Sequence, residues 1–134
     1  MLEGGFSVSA SIFFLLVVVA LVGWMLWQKF VPPKGVTNIN VQELEQLLAK
    51  REDCYFIDVR ETHEYKAGHI RGMKNIPLLE LHNRRNRIPQ QKQIVLICRS
   101  GRRSRIAARM LAKQGFSRIA NVRGGMLAWK GRVS

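Results

Sequence analysis

An α/β domain behind a single N-terminal transmembrane helix is the architecture this chain of 134 residues predicts. Three observations carry that expectation. From Tyr55 onward, short apolar runs alternate with segments of helical periodicity, the pattern of a parallel sheet covered on both faces. Ahead of them, from Phe6 to Trp27, no charged residue occurs. Finally, Cys98 stands where an apolar strand hands over to a helix, and the reactive residues of such sheets collect at the C-terminal ends of strands.

The stretch 6–27 is dominated by Leu, Val, Ile, Phe and Ala. As a helix it is about 33 Å long at roughly 1.5 Å per residue, which matches the roughly 30 Å hydrocarbon core of a bilayer. A cleaved signal peptide would show a basic segment before a shorter apolar core and a small-residue cleavage site. Here Glu3 is the one charge before the run, and Trp24-Met25-Leu26-Trp27 closes it. A buried core helix with no polar side is out of place in a domain this small. Trp24 and Trp27 suit the membrane boundary or serve as apolar filler, and Ser7, Ser9 and Ser11 make a weak small-residue face. Every Lys and Arg follows the helix, beginning with Lys29 and Lys34. The positive-inside rule then puts residues 1–5 outside and 38–134 in the cytoplasm, as a single-pass protein of the inner (plasma) membrane.

Residues 28–37 contain Pro32-Pro33 and Gly35 and read as a short, stiff linker. The domain follows from Asn38. Asn40 with Glu43 three residues on is a capping signal, and Val41, Leu44, Leu47 and Leu48 form the apolar stripe of a first helix. The strand Tyr55 to Val59 comes next, then a short helix Thr62 to Ala67 stopped at Gly68. Ile76-Pro77-Leu78 is extended and leads into a helix from about Leu79 to Asn86. Strand Ile94 to Ile97 precedes helix Ser104 to Lys113, which Gly115 caps; Ile119 to Val122 is a last strand, and Gly124-Gly125 turns into a terminal helix at Met126-Leu127-Ala128-Trp129.

The formal net charge is +13. The cations suit a solvated surface or anionic lipid. No nucleic acid is expected, since the basic cluster His82 to Arg87 has no interleaved aromatic residue and no accompanying motif. Two cysteines are too few for a disulfide framework and lack metal-site spacing, so neither metal nor cofactor is expected. Cys54 opens its strand whereas Cys98 closes another, about four residues further along, or roughly 13 Å at about 3.3 Å per residue. That distance excludes a bond, and Cys54 reads as core.

Cys98 is followed by Arg99-Ser100-Gly101-Arg102-Arg103-Ser104. A cysteine that merely packs has no use for a glycine and this density of arginine. A flexible cationic loop opening a helix can instead wrap backbone N–H groups around an anion, with the helix N-terminus adding partial positive charge. The thiol should ionise below the free value of roughly 8.5. A thiol that stays protonated at neutral pH, or lies in the packed interior, would remove the basis for this reactivity.

The blocks Asp58-Val59-Arg60-Glu61, Glu64-Tyr65, Gly68-His69-Ile70-Arg71-Gly72 and Asn75-Ile76-Pro77-Leu78 resemble the opening half of a rhodanese domain. Cys98 to Ser104 resembles its active-site loop, and Gly115-Phe116 with Gly124 to Trp129 its closing segment; the likeness covers about Ile39 to Gly131. It implies a five-stranded parallel sheet flanked by helices and a cysteine that carries sulfane sulfur as a persulfide. Carried onto this chain, Cys98 is the nucleophile, and Arg99, Ser100, Gly101, Arg102, Arg103 and Ser104 bind substrate, with Arg99 and Arg103 near a sulfonate. Asp58 and Arg60 hold the site together, and His69 belongs to a structural turn. The implied partners are a small sulfur-donor anion and a thiol, cyanide or protein acceptor.

Two other readings compete. Cysteine phosphatases and arsenate reductases use Cys-x5-Arg, but here that arginine position is Ser104, so the loop is one residue short. A non-catalytic module tethering a partner to the membrane is the other, and the retained cysteine speaks against it.

Overall fold

A computed structural model describes residues 2–134; Met1, within the 1–5 segment, lies outside the described residues, as do the side chains up to Phe6 and that of Glu52. The chain divides into two compact units, one ending at Pro32 and one spanning Pro33–Ser134. The first is a single helix, α1 (Leu2–Phe30), in which Ser7–Phe30 is long and apolar enough to cross a membrane. Its described side chains are exposed throughout, Phe14 by 71% and Trp27 by 67%.

The second unit runs β1 (Val36–Ile39), α2 (Val41–Ala49), β2 (Cys54–Asp58), α3 (Thr62–Ala67), β3 (Lys74–Asn75), α4 (Leu78–Arg84), β4 (Gln93–Ile97), α5 (Arg102–Lys113), β5 (Ile119–Val122) and α6 (Gly125–Ala128). The five strands form one sheet in the order β1-β5-β4-β2-β3, and every neighbouring pair is parallel. The expected five-stranded parallel sheet flanked by helices is therefore what the chain forms.

Alternation along β4 decides which residues meet which helices. Ile94 and Leu96, with Cys98 beyond them, share a core with Leu81 of α4 and Ala107, Ala108 and Leu111 of α5. Val95 and Ile97 belong to the other core, with Leu44 of α2, Ile70 and Met73. A period of two separates the sets. Burying a side chain such as Leu96 or Leu111, both fully enclosed, stabilises by about 1.5–3 kcal/mol. The cap read at Asn40 forms: the Glu43 N–H donates to Asn40 Oδ1 at 2.8 Å.

The local reading misses in several places, strand β3 (Lys74–Asn75) among them, for which it has no counterpart. Strand β1 has no counterpart in it, because Val-Thr-Asn-Ile offers only two apolar residues, Val36 and Ile39, both buried at its ends. The fourth helix begins at Leu78 and gives way at Arg85 to a 3-10 turn, and α5 begins two residues early, at Arg102. Cys54 pairs with Gln93, so Cys98 lies five positions along rather than four; both cysteines are free.

Candidate active site

Strand β4 delivers the chain to Cys98 directly after Ile97, whose carbonyl accepts the Val59 N–H at 2.9 Å. The chain then doubles back: Gly101 adopts φ +100°, a left-handed conformation that glycine takes without a Cβ penalty. That turn aims the Gly101 N–H at Cys98 Sγ, 3.0 Å away, and brings Ser104 Oγ to 3.4 Å from the same sulfur.

Cys98 is fully enclosed and lies in the packed interior, the placement named above as removing the basis for reactivity, so its reactivity turns on the polar groups that meet the sulfur there. Its carbon atoms face the α4/α5 core while its sulfur faces the polar loop, so burial and hydrogen bonding act against each other. Burial pushes the thiol up; the Ser104 hydroxyl and the backbone N–H groups of Ser104, Gly101 and Ser100 pull it down, and the net direction is below the ordinary value of 9.0. Fixed donors in a site shielded from water stabilise an anion without reorganising. The α5 N-terminus adds its partial positive charge.

The other loop residues divide. Arg99, Ser100 and Arg102 are exposed, while Gly101 and Ser104 are buried. Arg103 does not face an open mouth: its guanidinium forms a fork on Glu64 of α3, Nη1 to Oε1 at 2.6 Å and Nη2 to Oε2 at 2.9 Å. That pairing lowers the Glu64 carboxyl to about 2.

Three contributors escape the sequence reading. The carbonyls of Cys98 and Arg99 accept the N–H groups of Met126 and Leu127, at 2.9 and 3.0 Å, which clamps the loop to α6. A Cβ on Gly125 would collide with both carbonyls, so a dipeptide read only as a turn in fact lets the clamp close. Asn121, 4% exposed in an otherwise apolar strand, reaches Ser104 Oγ through Oδ1 at 2.5 Å and donates from Nδ2 to Asn38 Oδ1 at 3.1 Å. A lone amide in the run Ile119-Ala120-Asn121-Val122 was the available signal. Glu64, quoted only as part of a motif, is the third.

Beside the loop, Asp58 and Arg60 form a buried pair. Arg60 Nε lies 3.0 Å from both carboxylate oxygens, and Nη2 2.7 Å from Oδ2 and 2.8 Å from the Gly68 carbonyl. Asn75 Nδ2 donates to the carbonyls of Asp58 and Arg60, tying β2 to β3. His69 stacks on Tyr65 and pairs with Ser134 through its backbone, a structural turn. No group of three or more His, Cys, Asp or Glu among the described residues is placed to hold a metal.

Comparison with known proteins bears on the same region. The family model described as "Rhodanese-like domain" matches residues 40–132. A Bacillus subtilis (strain 168) protein named "Putative sulfur carrier protein YrkF" is 40% identical over 99 residues, covering 74% of this chain and 54% of its own length. The chain thus spans about half of that relative. An Allochromatium vinosum protein named "Sulfurtransferase" is 37% identical over 94 residues, covering 70% of this chain and 88% of its own. Among solved structures, a rhodanese-like domain protein from Staphylococcus aureus superposes with a TM-score of 0.66 at 29% identity, covering 72% of this chain and 92% of the other.

Proposed function

The chain belongs to the rhodanese-like domain family, and from that premise we propose that it is a sulfurtransferase carrying sulfane sulfur as a persulfide on Cys98. The observation that supports this reading most is the sulfur's setting: a thiol whose pKa is drawn below its ordinary value by hydrogen-bond donors, the nearest a backbone N–H at 3.0 Å. A polarised sulfur that keeps its negative charge is a nucleophile.

In the first half-reaction the Cys98 thiolate attacks the outer sulfur of a donor such as thiosulfate. The new S–S bond forms as the sulfur–sulfonate bond breaks, and sulfite leaves with the electron pair. In the second, an acceptor thiolate or cyanide attacks the outer persulfide sulfur and the Cys98 thiolate departs. Exposed Arg99 and Arg102 attract the anionic donor, and Gly101 and Ser104 hold the sulfur. Arg103 acts from its ion pair with Glu64, and Ser100 adds a backbone N–H. The acceptor is a small thiol, cyanide or a protein.

The membrane assignment is part of the same proposal. An apolar helix surface this large, with none of it packed, belongs in hydrocarbon, so residues 6–27 within α1 cross the membrane. By the positive-inside rule, Lys29 and Lys34 favour the cytoplasmic face of the inner membrane for the domain, expected at residues 38–134 after a linker 28–37 but preceded in the structure by α1 up to Phe30 and opening with β1 at Val36.

The test uses the intact protein in detergent. It should release sulfite from thiosulfate when an acceptor is present and gain about 32 Da on Cys98 when none is, because one sulfur is added to a reactive thiolate. Cys98→Ser should do neither. Equal sulfite release by both proteins overturns the mechanism, and an unmodified, inactive wild type favours the tethering module.

A further inference from the structure

Ser104 has one hydroxyl hydrogen and two neighbours that can take it. Its Oγ lies 2.5 Å from Asn121 Oδ1 and 3.4 Å from Cys98 Sγ. A hydroxyl donates once and accepts through its lone pairs. The shorter contact is an O–H···O bond, and the amide oxygen is the acceptor because Asn121 spends Nδ2 on Asn38 Oδ1 at 3.1 Å. Asn121 is 4% exposed and Ser104 fully buried, so no solvent competes for that hydrogen.

We propose that Asn121 is a positioning residue that competes with Cys98 for the single hydroxyl hydrogen of Ser104, so that the sulfur receives it only once an anion forms there. In the resting arrangement the hydrogen points at Asn121, and Ser104 turns a lone pair toward a neutral thiol, which donates to it. On ionisation the thiol proton leaves to solvent and the hydroxyl hydrogen swings from Asn121 Oδ1 to Sγ. The hydroxyl's share of the lowered thiol pKa belongs to this second arrangement. The amide therefore holds the free thiol back, while the N–H donors of the loop serve the anion in both arrangements.

The charges around the sulfur, Arg103 among them, act on it at a distance but are the same with and without Asn121. Arg103, from α5, is forked on Glu64, and Asp58, at the end of β2, is closed on Arg60. Arg99 and Arg102 of the loop are exposed, and β5, β1 and α6 carry no charged residue. The inference rests on Cys98 being the reacting sulfur, yet it concerns ionisation and not transfer.

The measurement is the pH dependence of iodoacetamide alkylation in the full chain in detergent, on a Cys54→Ser background so that Cys98 is the one thiol. Asn121→Leu keeps the branched shape and removes the acceptor; the alkylation midpoint should fall by half a pH unit or more, about threefold faster alkylation on the acid side. Ser104→Ala should raise the midpoint, and Ser104→Ala with Asn121→Leu should match Ser104→Ala alone, the non-additivity of residues acting through one another. Asn38→Ala, at an exposed position, frees the Asn121 amide to rotate and should lower the midpoint less, which keeps the test open if Asn121→Leu fails to fold. A raised or unchanged midpoint in a folded Asn121→Leu or Asn38→Ala protein, or additive shifts in the double variant, overturns the proposal. Midpoint shifts of the stated sign without any thiosulfate turnover would leave it standing and remove the sulfurtransferase reading instead.

Discussion

Two strand ends lie side by side in the sheet and bury an ionisable group against opposite kinds of partner. Asp58 closes β2 directly across from Ile97, the last residue of β4, and Cys98 follows one position on. The Asp58 carboxylate is wrapped by the Arg60 guanidinium, both out of solvent. The Cys98 sulfur is equally buried, but its near partners are a backbone N–H and a hydroxyl. Even Arg103, within the loop itself, is diverted to Glu64. A guanidinium cancels the charge it binds and fills the lone pairs, which suits a strut. Neutral donors stabilise an anion and leave its charge available for attack, which suits a nucleophile.

Breaking each side of that comparison should have a different size and readout. Arg60→Ala leaves a buried carboxylate without its partner and should destabilise the domain by about 3–5 kcal/mol, lowering the thermal midpoint by about 12 °C or more. A loss under about 1 kcal/mol would mean that the pair is no strut. Gly125→Ala attacks the loop instead. Gly125 sits at φ +56° against the carbonyls of Cys98 and Arg99, so the variant should lose about 2 kcal/mol and displace the donors, with thiosulfate turnover down about tenfold or more. Full turnover would show that the clamp does not position the sulfur.

Glu64→Gln is the mildest. The folded carboxyl lies at about 2 against an ordinary 4.5, a depressed value, so its contribution is present in full above pH 4.5 and disappears as pH falls through about 2. With the pair partly open to solvent, that contribution is about 1 kcal/mol. The stability gap between wild type and variant, followed by denaturant unfolding, should hold from pH 7 to 5 and close toward pH 2. A gap independent of pH would sever the link between that carboxyl and Arg103.

The elements legible in the sequence are those whose signal is local. The run Ile94 to Ile97 and the strand Ile119 to Val122 announce themselves by apolar continuity, and the Asn40 cap by its spacing to Glu43. Strand β1 was not legible: Thr37 and Asn38 are exposed, and it is a strand because Val36 to Ile39 pair with Ile119 to Val122. In the site, the turn at Gly101 could be anticipated from a glycine between cations, whereas the collision that reserves Gly125 could not. It depends on α6 arriving against the loop.

By itself, the sequence determined an alternation of strands and helices, an apolar helix ahead of them, and a cysteine at the end of a strand with a flexible loop behind it. Each is set by neighbours a few residues apart, through periodicity, turn chemistry and charge. Tertiary structure alone decided that Arg103 belongs to Glu64, that Asn121 competes for the Ser104 hydroxyl, and that the sulfur is enclosed. Those contacts join positions 39 and 17 residues apart, and only the β1-β5-β4-β2-β3 order brings their strands and helices together. Hydrogen-bond partners and burial are set by what arrives from elsewhere in the chain.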